Sequence, residues 1–262
     1  MSRLNDIKLF LLDMDGTIYL GESLFPCTVP FLQKLEEIGT EHLFLTNNSS
    51  KDKKSYIEKL TRMGIAADER HIITSGDVTI EFVKQKYPDK GIYLVGTGAL
   101  KRSFLEAGLR VEQKYEDADL AVVGFDTSLN YDKLSGLYRI VKSNRPYICT
   151  HPDLVCPTED GEIPDIGAVI AYIYALTGRK PDYVLGKPER YMIEAASKRF
   201  NIPKENIAMV GDRLYTDIEM AKRVSVISIL VLTGETSSED IDSSITVPDY
   251  VFSDLSELIA FL

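Results

Sequence analysis

The chain reads as an α/β protein, a parallel sheet packed between helices, with a second α/β segment inserted partway along. Two observations predict this. Short apolar runs bounded by turn residues alternate with segments whose apolar residues recur at helical spacing, as in strands buried on both faces and joined by crossover helices. A further strand–helix series of ordinary domain length then interrupts the alternation before it resumes near the C-terminal third. The division that follows is 1–77 for the first part of the main domain, 78–182 for an inserted α/β domain, and 183–262 for the second part of the main domain.

Each element has its own warrant. "IKLFLL" (7–12), "HLFLT" (42–46), "NIAMV" (206–210) and "VISILVL" (226–232) are leucine-rich or β-branched and short, as buried strands are. Between them Val29, Leu32, Leu35 and Ile38 share one helical face, Tyr56, Ile57, Leu60 and Met63 a second, and Ile193, Ala196 and Phe200 a third. In the insertion, "IYLV" (92–95), "DLAVVGF" (119–125) and "PYICT" (146–150) read as strands, with helices through Leu105 and over 131–141. The turn-rich "HPDLVCPTEDGEIPD" (151–165) leads into the helix "GAVIAYIYALTG" (167–178) and the polar "RKPD" (179–182). Repeats and low-complexity tracts are absent.

Composition excludes several classes. A chain of 262 residues with 44% hydrophobic and 27% charged residues is neither disordered nor fibrous. Its net charge of -10 repels nucleic acid and anionic membrane surfaces, so a phosphate-bearing ligand needs local cations. The three cysteines, Cys27, Cys149 and Cys156, form no C-x-x-C pair and give neither a disulfide framework nor a thiolate zinc site. The first apolar run is too short for a signal-peptide core, and the longest, "VSVISILVL" (224–232), cannot span a bilayer. The expectation is a reduced, cytoplasmic protein.

Chemistry gathers where strands end. "LLDMDGT" delivers Asp13 and Asp15 directly after the first strand, at the edge where open α/β sheets bind ligands. Two carboxylates there repel each other unless a cation or shared proton compensates them, and Mg²⁺, a hard ion that bridges to phosphate, suits the position. The pair can also divide labour between nucleophile and proton carrier. A calcium loop is the competing reading, but the EF-hand pattern wants glycine at its sixth position, glutamate at its twelfth and a helix before it. Here Gly16 is fourth and a strand precedes. A merely solvated turn is the other.

The remaining strand ends bear on that choice. "LTNNSS" supplies the hydroxyl of Thr46, the amides of Asn47 and Asn48 and backbone N–H groups ahead of a helix, an anion cradle, although Ser49 or Ser50 as a helix N-cap explains part of it. "VLGKPE" brings Lys187 to the mouth of another helix, where a solvated lysine is the plain alternative. "MVGDRLYTD" sets Asp212 past a strand and Asp217 near the next helix start, where a favourable first-turn charge would also serve. Jointly they make a phosphate site: nucleophile, acid/base, hydroxyl, cation and metal-ligating carboxylate.

The segments DMDGT, LTNNS, GKP and GDRLYTD, in that order, resemble the four signature motifs of the haloacid dehalogenase (HAD) superfamily. The insertion resembles the large α/β (type C2) cap of the NagD-like and p-nitrophenylphosphatase-type subfamily, and "TSGD", "GTGAL", "VVGFD", "THPD", "TGRKPD" and "VLTGETSSEDI" extend the likeness along the chain. The resemblance implies a Rossmann-like core and a Mg²⁺-dependent phosphatase acting on small phosphomonoesters. Asp13 would then form an aspartyl-phosphate, while Asp15 protonates the leaving alcohol and later deprotonates water. Thr46 and Lys187 would hold phosphoryl oxygens, with Asn47 and Asn48 beside them. Mg²⁺ would sit on the Asp13 side chain, the Asp15 backbone carbonyl and Asp212, with Asp217 behind. Charges about 4 Å apart interact by roughly 4 kcal/mol at an effective dielectric of 20, so two carboxylates would not tolerate a phosphate dianion without metal and lysine.

The same resemblance gives residues 18–25 as a flap beside the site, and His151 and Asp153 of the cap as leaving-group contacts or plain turn formers. Many relatives carry asparagine where His151 stands. It implies pairing of two copies through the cap, by analogy only. Asp15 argues against dehalogenase-like and P-type ATPase-like branches. "VGTGALK" lacks the third glycine of a dinucleotide fingerprint and reads as a strand–helix turn, while His42 and His71 read as ordinary polar residues. The rivals are a phosphomutase, which would pass the phosphoryl group to a second hydroxyl, and a receiver-like signalling module, which is shorter and carries its phosphoacceptor after a later strand.

Overall fold

Leu9–Asp13 is buried along its whole length, its side chains alternating to opposite sides of the sheet it centres. A computed structural model describes residues 3–158 and 161–262, and the chain falls into two units. The first holds the residues up to Thr46 together with Lys53–Ile73 and Lys187–Leu262. Its six-stranded sheet runs Tyr250–Phe252, Ile227–Val231, Ile207–Gly211, Leu9–Asp13, Glu41–Thr46 and Ile72–Thr74. The pairings from Tyr250–Phe252 across to Glu41–Thr46 are parallel.

On one face Phe10, Leu12, Phe44, Val210 and Ile229 pack with Phe31 and Leu35 of helix Thr28–Glu37 and Leu60 of helix Lys53–Arg62. Phe10 and Phe31 meet edge to face at 5.8 Å. The helical faces differ from expectation at their ends. Ile38 lies beyond the last helical turn and is exposed, because the chain leaves the helix through Gly39 at φ 68°.

The second unit, Asn47–Asp52 with Thr74–Gly186, has its own parallel sheet in the order Tyr183–Val184, Tyr147–Cys149, Leu120–Val123, Gly91–Val95 and Arg110–Glu112. Val95, Val123, Leu137, Ile140 and Tyr147 form its core with Ile173 of helix Ile166–Thr177. "VGTGALK" is the expected strand–helix turn, with the Thr97 hydroxyl capping helix Gly98–Glu106. Several short strands go beyond the sequence reading, Tyr183–Val184 among them. Arg110–Glu112 is short and partly exposed, so its apolar signal is weak. The turn-rich stretch holds an antiparallel pair, Val155–Thr158 with Gly161–Pro164, whose side chains are largely exposed; Glu159 and Asp160 lie outside the described residues. None of the three cysteines is in a disulfide, and among the described residues no helix is long and apolar enough to cross a membrane.

Candidate active site

The strand register fixes the site. Leu12 is paired with Phe44 on one side and Val210 on the other, and Asp13 with Leu45, so Asp13, Thr46 and Asp212 emerge at one edge of the first unit's sheet. This is the carboxyl edge, where the strand order turns back: the chain leaves Leu9–Asp13 toward Glu41–Thr46, and Ile207–Gly211 is laid on the opposite side. Parallel α/β sheets open their binding crevice at such a switch point. After Asp13 the backbone folds tightly. Met14 O accepts from Ile18 N at 2.9 Å, Gly16 N donates to Tyr19 O at 2.7 Å, and Gly16 takes φ 88°, a conformation suited to glycine.

Lys187 joins this edge from far along the chain. Its ammonium forms a close ion pair with Asp13 Oδ1 and donates to Asp217 Oδ1 at 2.7 Å. All three groups are buried. Burial alone would lower the lysine pKa, but the Asp13 and Asp217 carboxylates outweigh it and hold Lys187 above its ordinary value. The short strand leading to Lys187, Tyr183–Val184, belongs to the second unit's sheet.

Asp217 is not a surface first-turn charge. It lies in the wide turn Leu214–Ile218, where Ile218 N reaches Arg213 O at 3.2 Å, and it has no exposed surface. A side chain on Gly211 would collide with its carboxylate. Asp212 lies 2% exposed, and its Oδ1 is buried with no hydrogen-bond partner. Burial, reinforced by the Asp13 and Asp217 charges, pushes Asp212 up, and burial raises Asp217 against the pull of Lys187. Asp15 is raised by burial, opposed by the Lys59 ammonium and reinforced by Asp13.

These groups fit a hard cation. Asp13, Asp212 and Asp217 each offer a carboxylate oxygen, all within 4.8 Å of one another. Three carboxylates beside Lys187 leave negative charge in excess, and the orphaned Asp212 Oδ1 is the type of oxygen donor that a divalent cation takes.

The other expected residues divide between the two units. Thr46 ends its strand, buried in the first unit, whereas Asn47 and Asn48 belong to the second. Asn47 Nδ2 donates to the Asp153 carboxylate at 3.1 and 3.2 Å, and Asn48 Oδ1 accepts from Ser50 N at 3.0 Å and Ser50 Oγ at 2.6 Å. Neither Ser49 nor Ser50 caps the following helix, which starts at Lys53. The Ser49 hydroxyl instead bonds Thr150 Oγ1 and accepts from Phe125 N, both at 2.9 Å. His151 has no exposed surface. Its Nε2 meets Asp165 Oδ2 at 3.0 Å and its Nδ1 meets Thr150 Oγ1 at 3.0 Å.

Comparison with known proteins agrees with this architecture. Residues 10–110 match the family described as haloacid dehalogenase-like hydrolase, and residues 184–258 match the HAD-hydrolase-like family. An acid sugar phosphatase of Staphylococcus aureus is 34% identical over 97% of this chain and 98% of its own. A 4-nitrophenylphosphatase from Thermotoga maritima superposes with a TM-score of 0.96 at 43% identity, covering 99% of both chains. A glycerol phosphate phosphatase from Mycobacterium tuberculosis, solved with magnesium, gives a TM-score of 0.90 at 29% identity over 98% of this chain and 78% of that one. The chain belongs to the haloacid dehalogenase-like hydrolases. Within them it is an enzyme of the NagD-like and 4-nitrophenylphosphatase type.

Beyond the motifs of this HAD hydrolase, the structure adds side chains to the site. Lys59 is nearly buried, with its ammonium 3.9 Å over the Tyr19 ring and 3.6 Å from Glu22. A lone lysine on an amphipathic helix carries no signal in sequence that separates it from a solvated one. Tyr19 itself is core, while its neighbour Leu20 is exposed. Arg213, inside GDRLYTD, pairs with Glu235 at 2.9 Å.

Proposed function

We propose that this HAD hydrolase cleaves small phosphomonoesters by way of an aspartyl-phosphate on Asp13, with Asp15 as general acid and base. The observation that carries the reading is the buried pairing of Lys187 with Asp13 and Asp217 beside the unpartnered oxygen of Asp212. An Asp13 carboxylate oxygen attacks phosphorus as the ester P–O bond breaks, and Asp15 gives the departing alkoxide its proton. Asp15 then takes a proton from water, whose oxygen attacks phosphorus; the Asp13–phosphorus bond breaks, and inorganic phosphate leaves with the carboxylate restored.

Lys187 orients Asp13 and, with the Thr46 hydroxyl, holds the phosphoryl oxygens. Mg²⁺, held by Asp13, the Asp15 carbonyl and Asp212 with Asp217 behind, would supply charge neutralisation for the dianionic group. Asn47 and Asn48 are assigned to the phosphate side, and His151 and Asp153 to cap-side recognition, through the loops they order. We take the second unit to be the cap that selects the leaving group and excludes water. Sugar and polyol phosphates are the first substrates to try, since relatives bear the names acid sugar phosphatase and glycerol phosphate phosphatase.

The test is phosphate release from a panel of sugar, polyol and nucleoside monophosphates with p-nitrophenyl phosphate as control, in Mg²⁺ and in EDTA. Metal-dependent release that Asp13→Asn abolishes is expected. Release at the wild-type rate by Asp13→Asn would remove Asp13 as nucleophile. Transfer to a second hydroxyl without free phosphate would make the protein a mutase.

A further inference from the structure

The segment "TGET", residues 233–236, belongs to none of the four motifs, yet it touches two of them. It follows strand Ile227–Val231, within the first unit, and crosses the carboxyl edge of the sheet. The Thr233 hydroxyl donates to Gly16 O at 2.6 Å, so it holds the turn that carries Asp15. Glu235 N donates to Asp212 Oδ2 at 2.8 Å, and Thr236 N reaches Asp212 O at 3.2 Å. Gly234 packs so closely on Asp212 that a Cβ there would collide with Oδ2 and stand 2.5 Å from Cγ. Gly16 presses from another side, where an added Cβ would also collide with Oδ2.

The Asp212 carboxylate is thus confined between two glycine α-carbons. One oxygen is tied to a backbone N–H, and the other, Oδ1, is left buried and unpartnered. The segment is tethered in turn through Glu235, whose Oε1 accepts from Tyr215 Oη at 2.7 Å and whose Oε2 pairs with Arg213 Nε at 2.9 Å.

We infer that residues 233–236 position Asp212 for cation binding, with Gly234 and Glu235 as the positioning residues. They fix the carboxylate rotamer so that Oδ1 stays free of protein partners and would be available to a cation, and Thr233 ties the Gly16 turn to the same segment. This rests on the assignment of Asp212 as a metal ligand. Groups that hold a ligand's orientation, without touching the ion, typically set metal affinity by about 10- to 100-fold. A methyl group at position 234 would push Oδ2 off its N–H and rotate Oδ1 away. Loss of the Glu235 side chain would free the segment while leaving the backbone donor in place.

The experiment is Mg²⁺ titration calorimetry on the full chain without substrate, for wild type, Asp212→Asn, Gly234→Ala, Glu235→Ala and Glu235→Gln, with melting temperature in EDTA recorded for each. Asp212→Asn should lose Mg²⁺ binding. Gly234→Ala should weaken it by about 10-fold or more, and Glu235→Ala by a smaller factor, while melting in EDTA moves by only about 5 °C. Glu235→Gln keeps an acceptor for Tyr215 and should fall between Glu235→Ala and wild type.

Wild-type Mg²⁺ affinity in folded Gly234→Ala overturns the inference while leaving Asp212 as a ligand. Should Gly234→Ala not fold, wild-type affinity in Glu235→Ala overturns it equally. Equal Mg²⁺ binding by wild type and Asp212→Asn, or none by either, would instead overturn the metal assignment, and the inference with it.

Discussion

Lys187 is the residue on which the site's electrostatics turn. It is the buried cation between Asp13 and Asp217, and neither carboxylate can escape to solvent. Removing one member of a buried charge cluster leaves the others uncompensated, which typically costs about 3–5 kcal/mol. Lys187→Met should therefore lower stability by an amount of that order in metal-free urea unfolding, as well as abolish phosphate release. Equal stability of variant and wild type would mean that Asp13 and Asp217 are compensated by another group.

Residue-scale chemistry was partly legible beforehand. Asp13, Thr46 and Asp212 were placed at strand ends by the apolar runs before them, and the structure has them there. The partner of each was not legible. Lys187 and Asp13 are 174 residues apart, and nothing local to "LGKPE" says which carboxylate its ammonium meets.

At the scale of elements, the second residue of strand Glu41–Thr46 is His42, which reads in sequence as an ordinary polar residue. The His42 ring stacks on His71 of the 3-10 turn Glu69–His71 at 5.1 Å, with the planes 18° apart. Burial, with a smaller contribution from His71, lowers the His42 pKa to about 4. The unfolded chain, with a histidine pKa near 6.5, binds the proton first. Stability from neutral His42 is therefore complete above about pH 6.5 and is lost as pH falls toward about 4, by roughly 2 kcal/mol after discounting for partial exposure. In urea unfolding at pH 7 and pH 4.5, His42→Gln should lose less stability between the two than wild type does. An identical loss would place the acid sensitivity elsewhere.

Helix Ile166–Thr177 makes a second element-scale case. Asp165 caps it, accepting from Ile166 N at 2.6 Å, and its other oxygen meets buried His151. Asp165→Ala should cost about 2–4 kcal/mol, a cap of about 1 and an abandoned buried polar group of about 1–3, whereas Asp165→Asn should recover part of it. Chemical denaturation of both variants decides this. Loss below about 1 kcal/mol in the alanine variant would show that His151 finds another partner.

For the whole molecule, the excess of carboxylates at one sheet edge links ligand binding to folding. A cation that binds the native but not the unfolded chain raises stability by mass action, about 2.7 kcal/mol at a hundred times its dissociation constant. Thermal melting should accordingly rise with Mg²⁺ in wild type and stay flat in Asp212→Asn. That variant should also melt no lower than wild type in EDTA, because it removes a buried, incompletely partnered charge. A Mg²⁺-dependent rise of equal size in both proteins would exclude Asp212 from the binding site.

The sequence by itself determined the α/β class, the positions of the main strands along the chain and the edge at which Asp13, Thr46 and Asp212 would emerge. These follow from periodicity and from the rule that parallel strands present their carboxyl ends together, and both are properties of short stretches of chain. Only the tertiary structure decided that Asn47 and Asn48 fold with the second unit, that His151 is buried against Asp165, and that residues 233–236 enclose Asp212. Those outcomes depend on which surfaces meet after the strands assemble, and packing between distant segments leaves no mark on the local pattern that forms each strand or helix.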